Sequence, residues 1–413
     1  MRVGAQARSA ALATSVLIVA ASMYAAQARA GREPSAMTRN WVEAGPIVQR
    51  RPSGAQSAAD GQELARLLDD PHGPAEIWLP AGEYDGDFVI RRPVSLRAER
   101  GAILNGTGHG TVLSIEADDV RIDNVVVRHS GRRHTLEDAG IRSKGARTRI
   151  QNVRVEDSLF GVTLGPCRHC EVQHSHVQGS LDDKELKGDG IKLWESDDSV
   201  VRNCSVDHVR DVVVWYSKRV LLEGNSVGHS RYGSHFMYAH DGIVRDSRVT
   251  DNVVGIFVMY SARLRVERNV LGGAHGAAGV GIGFKESDGV QVSGNWIVAN
   301  TTGVYLDGTP RAPQFPVHFT DNVFSLNDVA VRFHGPSDGL FFKGNDFHEN
   351  TLVAEVEGGG DALAASFRAN HFTDYVGYDL DGNGTGDVAY QIKRLSGELT
   401  EAHATLKFFE GTV

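Results

Sequence analysis

The sequence has few cysteines, methionines and prolines, and no long helical pattern. Among 413 residues there are 3 cysteines, 5 methionines and 12 prolines, against 47 glycines. Many glycines with few prolines indicate frequent turns in a regular array. The hydrophobic content of 41% is sufficient for a large core. Because the periodicity is strand-like, an array of short strands is favoured over a helical protein.

Only the N-terminus contains a run that could enter a membrane. Arg2 and Arg8 precede an uncharged stretch of alanine, valine and leucine, and Ala28-Arg29-Ala30 matches the pattern of a signal-peptidase site. Serine and threonine interrupt this short stretch, which favours a cleaved signal over an uncleaved anchor. We expect residues 1–30 to be a signal peptide and the mature protein to be periplasmic.

The sequence lacks the positive charge that nucleic acids and anionic lipids require of a partner. Residues 1–30 hold three arginines and no acid, so their removal leaves 40 basic residues against 52 acidic ones. This balance disfavours nucleic-acid and anionic-lipid partners and favours cations.

The three cysteines are Cys167, Cys170 and Cys204. In an oxidising compartment one pair can form and one thiol is left over. The Cys167–Cys170 segment is compatible with a redox or metal loop, with a small disulfide or with two idle thiols. The chain has no second CxxC motif to complete a zinc site.

The mature chain divides into four predicted segments. Residues 31–59 have no periodicity and are typical of a linker. Asp60 as N-cap and Glu63 three residues later predict a short helix. The leucines of this helix would cap the open end of a solenoid. Residues 60–119 are therefore predicted to contain the cap and the first rungs. Residues 120–372 are repetitive, and residues 373–413 form a C-terminal extension.

Two strand patterns recur every 21 to 29 residues in the repetitive segment. The first alternates apolar residues up to an asparagine, and the second has the form Gly-apolar-x-apolar, as in GVTL from Gly161 and GIFV from Gly255. Strands in the same direction with short connections cannot form βαβ units. The pattern therefore predicts an all-β fold, a right-handed parallel β-helix with a short N-terminal helical cap.

The recurring asparagine is most simply a corner residue whose amide bonds the next rung and forms a ladder. The positions assigned to this ladder, with two substitutes, are Asn124, Asn152, His174, Asn203, Asn225, Asp246, Asn269, Asn295, Asn322, Asn345 and Asn370.

In the second strand, the x positions should point outward to solvent and form two columns. The first column is Thr163, Lys192, Val213, His235, Phe257, Gly283 and Tyr305. The second is Gly165, Trp194, Trp215, Met237, Met259, Lys285 and Asp307. Neighbouring parallel strands lie about 4.8 Å apart, so Met237 and Met259 should stack beside His235.

The paired methionines predict a soft metal site. Two thioethers and an imidazole suit Cu(I), and His240 at the following turn could add a ligand. The alternative is an apolar docking stripe in which methionine serves as adaptable packing. Spacing alone does not decide between the two.

The tryptophans of the same column allow a different function. Stacked Trp194 and Trp215 are typical of a sugar-binding groove, which would make the protein a polysaccharide lyase, glycoside hydrolase or uronate epimerase. Asp189, Lys192 and Asp211 are the candidate catalytic residues, with Asp182 and Asp183 as further carboxylates. The polar insertions 128–139 and 178–189 would overhang this face.

The C-terminal segment GYDLDGNGTGD contains the start of a calcium-loop pattern. Asp379, Asp381, Asn383, Thr385 and Asp387 alternate, and Gly384 takes the sixth position. The twelfth position is Tyr390 rather than glutamate. The segment is compatible with a partial Ca²⁺ site or with a simple turn.

Five segments resemble the NosD family of periplasmic β-helix proteins: GDGIKLWES, YGSHFMYAHD, VGIFVMYS, GIGFKESD and GYDLDGNGTGD. The family's HYMY and MYS segments match the sequence from His235 to Tyr238 and from Met259 to Ser261. The likeness runs from about Gly61 to the C-terminus. Phe236 stands where tyrosine is usual, and residues 183–187 lack a methionine that the family tends to have.

The resemblance implies a non-enzymatic role in copper handling for the maturation of nitrous oxide reductase. The implied partners are an ABC transporter, a copper chaperone lipoprotein that supplies the metal, and the copper reductase apo-enzyme that receives it.

Overall fold

The computed structural model describes residues 50–179, 187–358 and 360–392. The predicted signal peptide and most of the predicted linker lie outside these ranges. The described chain is an all-β, right-handed parallel β-helix of about 13 turns, which confirms the predicted fold.

Three parallel sheets form the sides of the solenoid in the part of the chain that is described. The first sheet has the strands Gln56–Ser57, Glu76–Leu79, Ser95–Ala98, Arg121–Asp123, Arg149–Gln151, Glu171–Gln173, Val200–Arg202, Leu221–Glu223, Ile243–Arg245, Arg265–Glu267, Gln291–Ser293, Val317–Thr320, Leu340–Lys343 and Ser366–Arg368. The second sheet has the strands Gly82–Asp85, Ala102–Asn105, Val126–Arg128, Arg154–Val155, His176–Gln178, Ser205–Asp207, Ser226–Gly228, Arg248–Thr250, Val270–Gly272, Trp296–Val298, Val323–Ser325, Asp346–His348 and His371–Phe372. The third sheet has the strands Phe88–Ile90, Leu113–Ile115, Ala139–Ser143, Phe160–Leu164, Ile191–Trp194, Asp211–Trp215, Tyr232–Met237, Val254–Met259, Val280–Lys285, Thr302–Asp307, Val329–His334 and Leu352–Val356.

The second sheet is absent from the sequence-based prediction, which has two strands per rung. Its strands are two to four residues long, and in rungs such as Val126–Arg128 a single residue, here Val127, points into the core. A strand of this length cannot show a period of two. The two recurring patterns that the sequence does show correspond to the first and third sheets.

The predicted cap is present as an α-helix, Gly61–Asp69. The Asp60 carboxylate accepts a hydrogen bond from the Glu63 amide at 2.8 Å, and the Glu63 carboxylate accepts one from the Ala59 amide at 2.8 Å. Leu64, Leu67 and Leu68 are buried against the first rung. The end of the predicted linker forms the strand Gln56–Ser57, which pairs with the next strand of the first sheet.

A buried side-chain ladder runs along the corner after the first sheet. Asn295 accepts from the backbone and side-chain amides of Asn269 at 2.9 and 3.0 Å, and donates to Asn322 at 2.9 Å. The series continues through Asn345 to Asn370. These bonds satisfy backbone amides that the turn leaves without a strand partner.

The predicted ladder is displaced by one residue in five rungs, although the Asn124 side-chain amide does donate to the Ala98 carbonyl of the preceding rung at 2.8 Å. Asn124, Asn152, His174, Asn203 and Asp246 occupy the left-handed turn position immediately before the ladder, with φ between 49° and 64°. The residue that follows each of them takes the inner place, and in one rung it is Cys204, whose amide donates to Asn225 at 2.9 Å. Asparagine suits both neighbouring positions, so its recurrence does not distinguish them.

Two further ladders line the other corners. The corner after the second sheet is held by Asn252, Asn300, Asn327 and Asn350. The corner after the third sheet is held by Ser217, Ser261, Ser287 and Thr309. The rungs that carry these residues are therefore fixed to their neighbours at the corners.

Cys167 and Cys170 form a disulfide, which selects one of the options that the sequence leaves open. Cys204 is a free thiol buried in the ladder, and burial raises its pKa to about 12.

Replacing Asn295 by alanine should lower the free energy of unfolding by about 2–4 kcal/mol, because the Asn269 amide loses its acceptor and a cavity is left. The matched change Asn203→Ala, at an exposed turn position, should cost within about 1 kcal/mol. Urea unfolding followed by circular dichroism measures both. Equal losses would contradict the corrected ladder.

The native chain should show no free thiol towards Ellman's reagent at pH 8 and one after unfolding without reductant. The reason is that a buried thiol with a raised pKa supplies almost no thiolate. Three thiols in the unfolded chain would contradict the Cys167–Cys170 pairing.

Candidate functional site

In the third sheet, the residues of each predicted column pair with one another on successive rungs, as the sequence repeat predicts. His235 pairs with Phe257, and Met237 pairs with Met259. Trp215 pairs with Met237 on the preceding rung, and Lys285 with Met259 on the following one. The two thioether side chains therefore project from adjacent rungs at the same position.

The first outer column is not exposed as predicted, at least in its first half. His235 is only 7% exposed, and Thr163, Lys192 and Val213 are also buried. The His235 ring meets the edge of Trp215 at a centroid distance of 5.4 Å and lies 4.8 Å from the ring of Tyr232. Aromatic side chains outside the solenoid cover the column, which strand alternation alone does not reveal.

The two ring nitrogens of His235 have different surroundings. Nε2 lies 3.4 Å from the Met259 sulfur, and Nδ1 lies 3.7 Å from the carboxylate of Asp211. At 3.7 Å the second contact is longer than a hydrogen bond, and Nδ1 is buried with no hydrogen-bond partner among the described residues. A nearby carboxylate favours the proton on Nδ1, which leaves the Nε2 lone pair directed towards the sulfur.

A bulge in the third sheet adjusts the direction of His235. The register shifts between the pairs Asp211–Tyr232 and Val213–His235, so the later strand has one extra residue there. Bulges of this kind bend a strand and redirect a side chain. Here the extra residue lets Tyr232 fold over the column while His235 stays in register.

The spacing of the donor atoms fits a metal ion. Bonds of about 2.0–2.3 Å to nitrogen and sulfur at a tetrahedral angle place two ligand atoms about 3.5 Å apart. The Nε2 to Sδ distance of 3.4 Å is close to this value. With Met237 on the adjacent rung, the donor set is one imidazole and two thioethers, which are the ligands that Cu(I) prefers.

A stack of tyrosines borders the methionines, and the sequence analysis did not select it. Tyr216, Tyr238 and Tyr260 follow the column residues on three rungs, each in the left-handed conformation. Their rings stack at centroid distances of 5.2 Å, and Tyr216 and Tyr238 are more than 40% exposed. The motif MYS and its variants are the signal that could have identified this stack.

His240 lies past the turn, at the corner of the third sheet. Its Nδ1 accepts a hydrogen bond from the Ala262 amide at 3.1 Å. Burial, followed by the positive charge of Arg263, lowers the pKa of His240, so the neutral imidazole is favoured. This contact occupies one ring nitrogen and leaves only Nε2 for any further ligand role.

The C-terminal turn brings Asp379, Asp381 and Asp387 together on the surface. Asp379 accepts hydrogen bonds from the amides of Asn383 and Gly384 at 3.1 and 2.9 Å. Asp387 accepts one from the Leu380 amide at 2.7 Å. Thr385 donates its amide to Asn383, so the five predicted positions form one closed turn.

Comparison with known proteins identifies the family. Residues 173–375 match the family model described as periplasmic copper-binding protein (NosD). A probable ABC transporter binding protein NosD of Pseudomonas aeruginosa is 31% identical over 76% of this chain and 76% of its own length. The chain belongs to the NosD family. A NosD of Stutzerimonas stutzeri is 27% identical over 82% of this chain and 80% of its length.

The matched NosD segment contains His235, Met237 and Met259. Its relatives carry the name of binding proteins, which agrees with a non-enzymatic protein. No helix among the described residues is both long enough and apolar enough to cross a membrane.

The solved structures with the same fold include a carbohydrate epimerase and a tailspike in complex with a pentasaccharide. The A-module of the mannuronan C-5 epimerase AlgE6 from Azotobacter vinelandii has a TM-score of 0.56 at 15% identity, covering 77% of this chain and 97% of that one. A tailspike of E. coli bacteriophage HK620, solved with a pentasaccharide, has a TM-score of 0.54 at 12% identity, covering 79% and 77%. At this identity the likeness shows the fold alone.

The candidate catalytic residues of the carbohydrate alternative are ion-paired rather than directed at a groove. Asp189 is 1% exposed and accepts two bonds from Arg210 at 2.9 and 3.0 Å. Asp211 is fully buried and pairs with Arg231, whose Nε lies at 3.0 Å. Lys192 bonds Glu137 from the overhang 128–139. Asp182 and Asp183 lie outside the described residues.

The tryptophan face is filled by its own side chains. Trp194 and Trp215 meet edge to face at 6.0 Å, and the Lys192 ammonium lies 5.4 and 5.8 Å from their rings. An open cleft does exist in the described chain, but it is lined by Gly106, Thr107, Gly108, His129, Ser130, Arg132 and Asp157. None of the candidate catalytic residues borders that cleft.

The two buried carboxylates differ in their electrostatics. Burial raises the pKa of Asp189 above its ordinary value, and Arg210 offsets this only in part. Burial also raises the pKa of Asp211, but His235 and Arg231 lower it by more, so it lies below the ordinary value. Asp211 thus carries a negative charge next to His235.

These directions predict opposite pH behaviour for Asp211→Asn and Asp189→Asn. A lowered pKa stabilises the fold above the unfolded value of about 4, and this contribution is lost as the pH falls below it. Asp211→Asn should therefore lower the free energy of unfolding by about 2–3 kcal/mol at pH 7. This is less than the loss for a fully buried ion pair, because Arg231 is half exposed. The loss should be smaller still at acid pH.

Burial disfavours the charged form of Asp189, so Asp189→Asn should be tolerated better at pH 7 than Asp211→Asn. The urea unfolding midpoints of both variants and of the wild-type chain, measured between pH 3.5 and 7.5, test these two predictions. A greater loss for Asp189→Asn at pH 7 would contradict the assignment.

Proposed function

We propose that this NosD-family chain binds Cu(I) through Met237, Met259 and His235 and handles copper for the maturation of a copper enzyme. The observation that carries the proposal is the 3.4 Å approach of the His235 Nε2 to the Met259 sulfur, next to a second thioether in register. The site acts as a transfer site rather than a permanent one, because two neutral thioethers and one imidazole hold copper without the charge of a thiolate.

The surroundings support transient binding. Met237 and Met259 are half-buried, and the tyrosine stack, in which Tyr216 and Tyr238 are exposed, lies beside them. A copper ion can therefore reach the sulfurs from solvent, while His235 is held in place by Asp211, Tyr232 and Trp215. His240 is proposed as an auxiliary ligand through Nε2 only.

The family supports the cellular role. Its model is described as a periplasmic copper-binding protein, and its relatives as probable ABC transporter binding proteins. We place this chain in the periplasm after removal of a signal peptide, in association with an ABC transporter. A copper chaperone lipoprotein supplies Cu(I), and a nitrous oxide reductase apo-enzyme receives it.

The C-terminal turn remains a proposed Ca²⁺ site. Asp379, Asp381 and Asp387 supply the oxygen ligands that calcium prefers, with Asn383 and Thr385 in the same turn. A role in folding the C-terminal extension is the function we assign to it.

The copper site is tested by anaerobic Cu(I) titration against a colorimetric Cu(I) chelator. Met237→Leu/Met259→Leu conserves volume while it removes both sulfurs. This double variant should bind Cu(I) at least 100-fold more weakly than the wild-type chain, and each single variant about tenfold more weakly, since each ligand contributes of order 1.4 kcal/mol.

Two histidine variants serve as internal comparisons. His235→Ala should weaken binding as much as the loss of a methionine, whereas His240→Ala should change it less than about threefold, given an auxiliary role. Unchanged affinity in the double methionine variant would exclude this site. In that case the surface would be a docking stripe, or the copper would bind elsewhere.

A further inference from the structure

Two histidines and an aspartate form a compact group on a different corner of the solenoid from the copper site. Asp207 ends the second-sheet strand Ser205–Asp207, and His208 follows it in the turn. His229 takes the equivalent turn position after the next strand, Ser226–Gly228. The two imidazoles thus come from adjacent rungs, and the carboxylate is adjacent to both.

The geometry joins each imidazole to its own oxygen of one carboxylate. The Nδ1 atoms of His208 and His229 lie 2.7 and 2.8 Å from the two oxygens of Asp207. The rings are stacked, with centroids 4.7 Å apart and planes 17° from parallel. One ligand atom from each of the three residues lies within 4.8 Å of the others.

A glycine leaves the space that this arrangement needs. Gly228 is paired with Asp207 in the sheet, and a Cβ built on Gly228 would lie 3.3 Å from an Asp207 oxygen. A side chain at this position would require the Asp207 carboxylate, which reaches towards His229, to shift by a few tenths of an ångström. Gly228 thus leaves room for the Asp207 carboxylate to contact both His208 and His229.

Other histidine–aspartate contacts in the described chain lack this completeness. At the corner near Asn105, Asp157 contacts His129 at 3.0 Å, but it also binds the Arg132 guanidinium, which supplies the positive charge. Asp346 contacts His371 at 2.8 Å without a second imidazole. For Asp207, no arginine or lysine partner is found among the described residues.

We propose that Asp207, His208 and His229 form a second metal site, for a borderline divalent cation such as Zn²⁺. Two imidazoles and one carboxylate are ligands for first-row divalent ions, whereas the thioether site suits Cu(I). Binding of one ion displaces the two protons of the imidazole–carboxylate hydrogen bonds, and each nitrogen–oxygen distance widens from 2.7–2.8 Å to about 3.3 Å, the spacing of two ligands on one ion. His208 is partly buried and His229 about half exposed, so solvent can complete the coordination.

Such an ion would connect two turns that lead into the copper-site strands. His208 lies three residues before Asp211, and His229 lies three residues before Tyr232. Asp211 and Tyr232 are the residues that hold the His235 ring. A cation that binds the folded chain and not the unfolded one stabilises these turns by mass action.

The test is a Zn²⁺ titration of the full chain without an affinity tag, in competition with a fluorescent zinc indicator. Excess Ca²⁺ is present throughout so that the acidic C-terminal turn does not compete. The wild-type chain should bind one equivalent in the micromolar range or tighter. His208→Ala, His229→Ala and Asp207→Asn should each weaken it at least tenfold, and the double histidine variant should remove it.

His371→Ala is the matched control, because it removes a histidine that has a carboxylate partner but no second imidazole. It should retain the full zinc affinity, as should Met237→Leu/Met259→Leu, which separates this site from the copper proposal. Zn²⁺ should also raise the unfolding temperature of the wild-type chain and not of the double histidine variant. Protection of Cys204 from Ellman's reagent confirms that each variant is folded.

Absence of zinc binding by the wild-type chain would overturn the proposal, and so would equal stoichiometry and affinity in the His208→Ala/His229→Ala variant. In either case the stacked imidazoles would serve only to pack the two turns.

Discussion

The candidate site depends on side-chain hydrogen bonds that fix neighbouring rungs to each other at the corners. The Ser261 hydroxyl, for example, accepts from the Ala239 amide at 3.0 Å and donates to the Met259 carbonyl at 2.7 Å. This one residue joins the two rungs that carry Met237 and Met259. A slip of one residue would turn an outward thioether into the core, so the ladder is what holds the two sulfurs at the same position.

With this register, the properties of the candidate site depend on which side chains cover the outer columns. Along most of the described outer face the charged groups neutralise each other, as with Asp189 and Arg210 or Lys192 and Glu137. Arg231 and Asp211 follow the same rule, but Asp211 also approaches His235. His235 is therefore buried and oriented, and its Nε2 faces a sulfur instead of a hydrogen-bond donor. Met237 and Met259 are half-buried and border the tyrosine stack.

Much of this was predictable from the sequence because a β-helix translates sequence spacing directly into contacts. The 22-residue shift between the GSHFMY and GIFVMY segments gives the pairing of Met237 with Met259, and the cap follows from Asp60 and Glu63. The same spacing could have revealed His208 and His229, which are 21 residues apart, but the second sheet has strands too short to show a period.

Other features could not be predicted because they depend on packing between rungs. The ladder position predicted at Asn203 is one residue before the observed one, because asparagine also suits the left-handed turn. His235 is buried because the bulge lets the Tyr232 ring cover it. The alternation of apolar residues in the sequence predicts neither the bulge nor this contact. The ion pairs of Asp189 and Asp211 likewise join residues about 20 positions apart, and the sequence analysis had proposed both aspartates as candidate catalytic residues.

The central claim is that His235, Met237 and Met259 bind copper together, and X-ray absorption at the copper edge tests it most directly. The Cu(I)-loaded chain should show sulfur neighbours together with one imidazole, and the sulfur contribution should disappear in Met237→Leu/Met259→Leu. A copper environment of nitrogen and oxygen only, or sulfur neighbours that persist in that variant, would contradict the account.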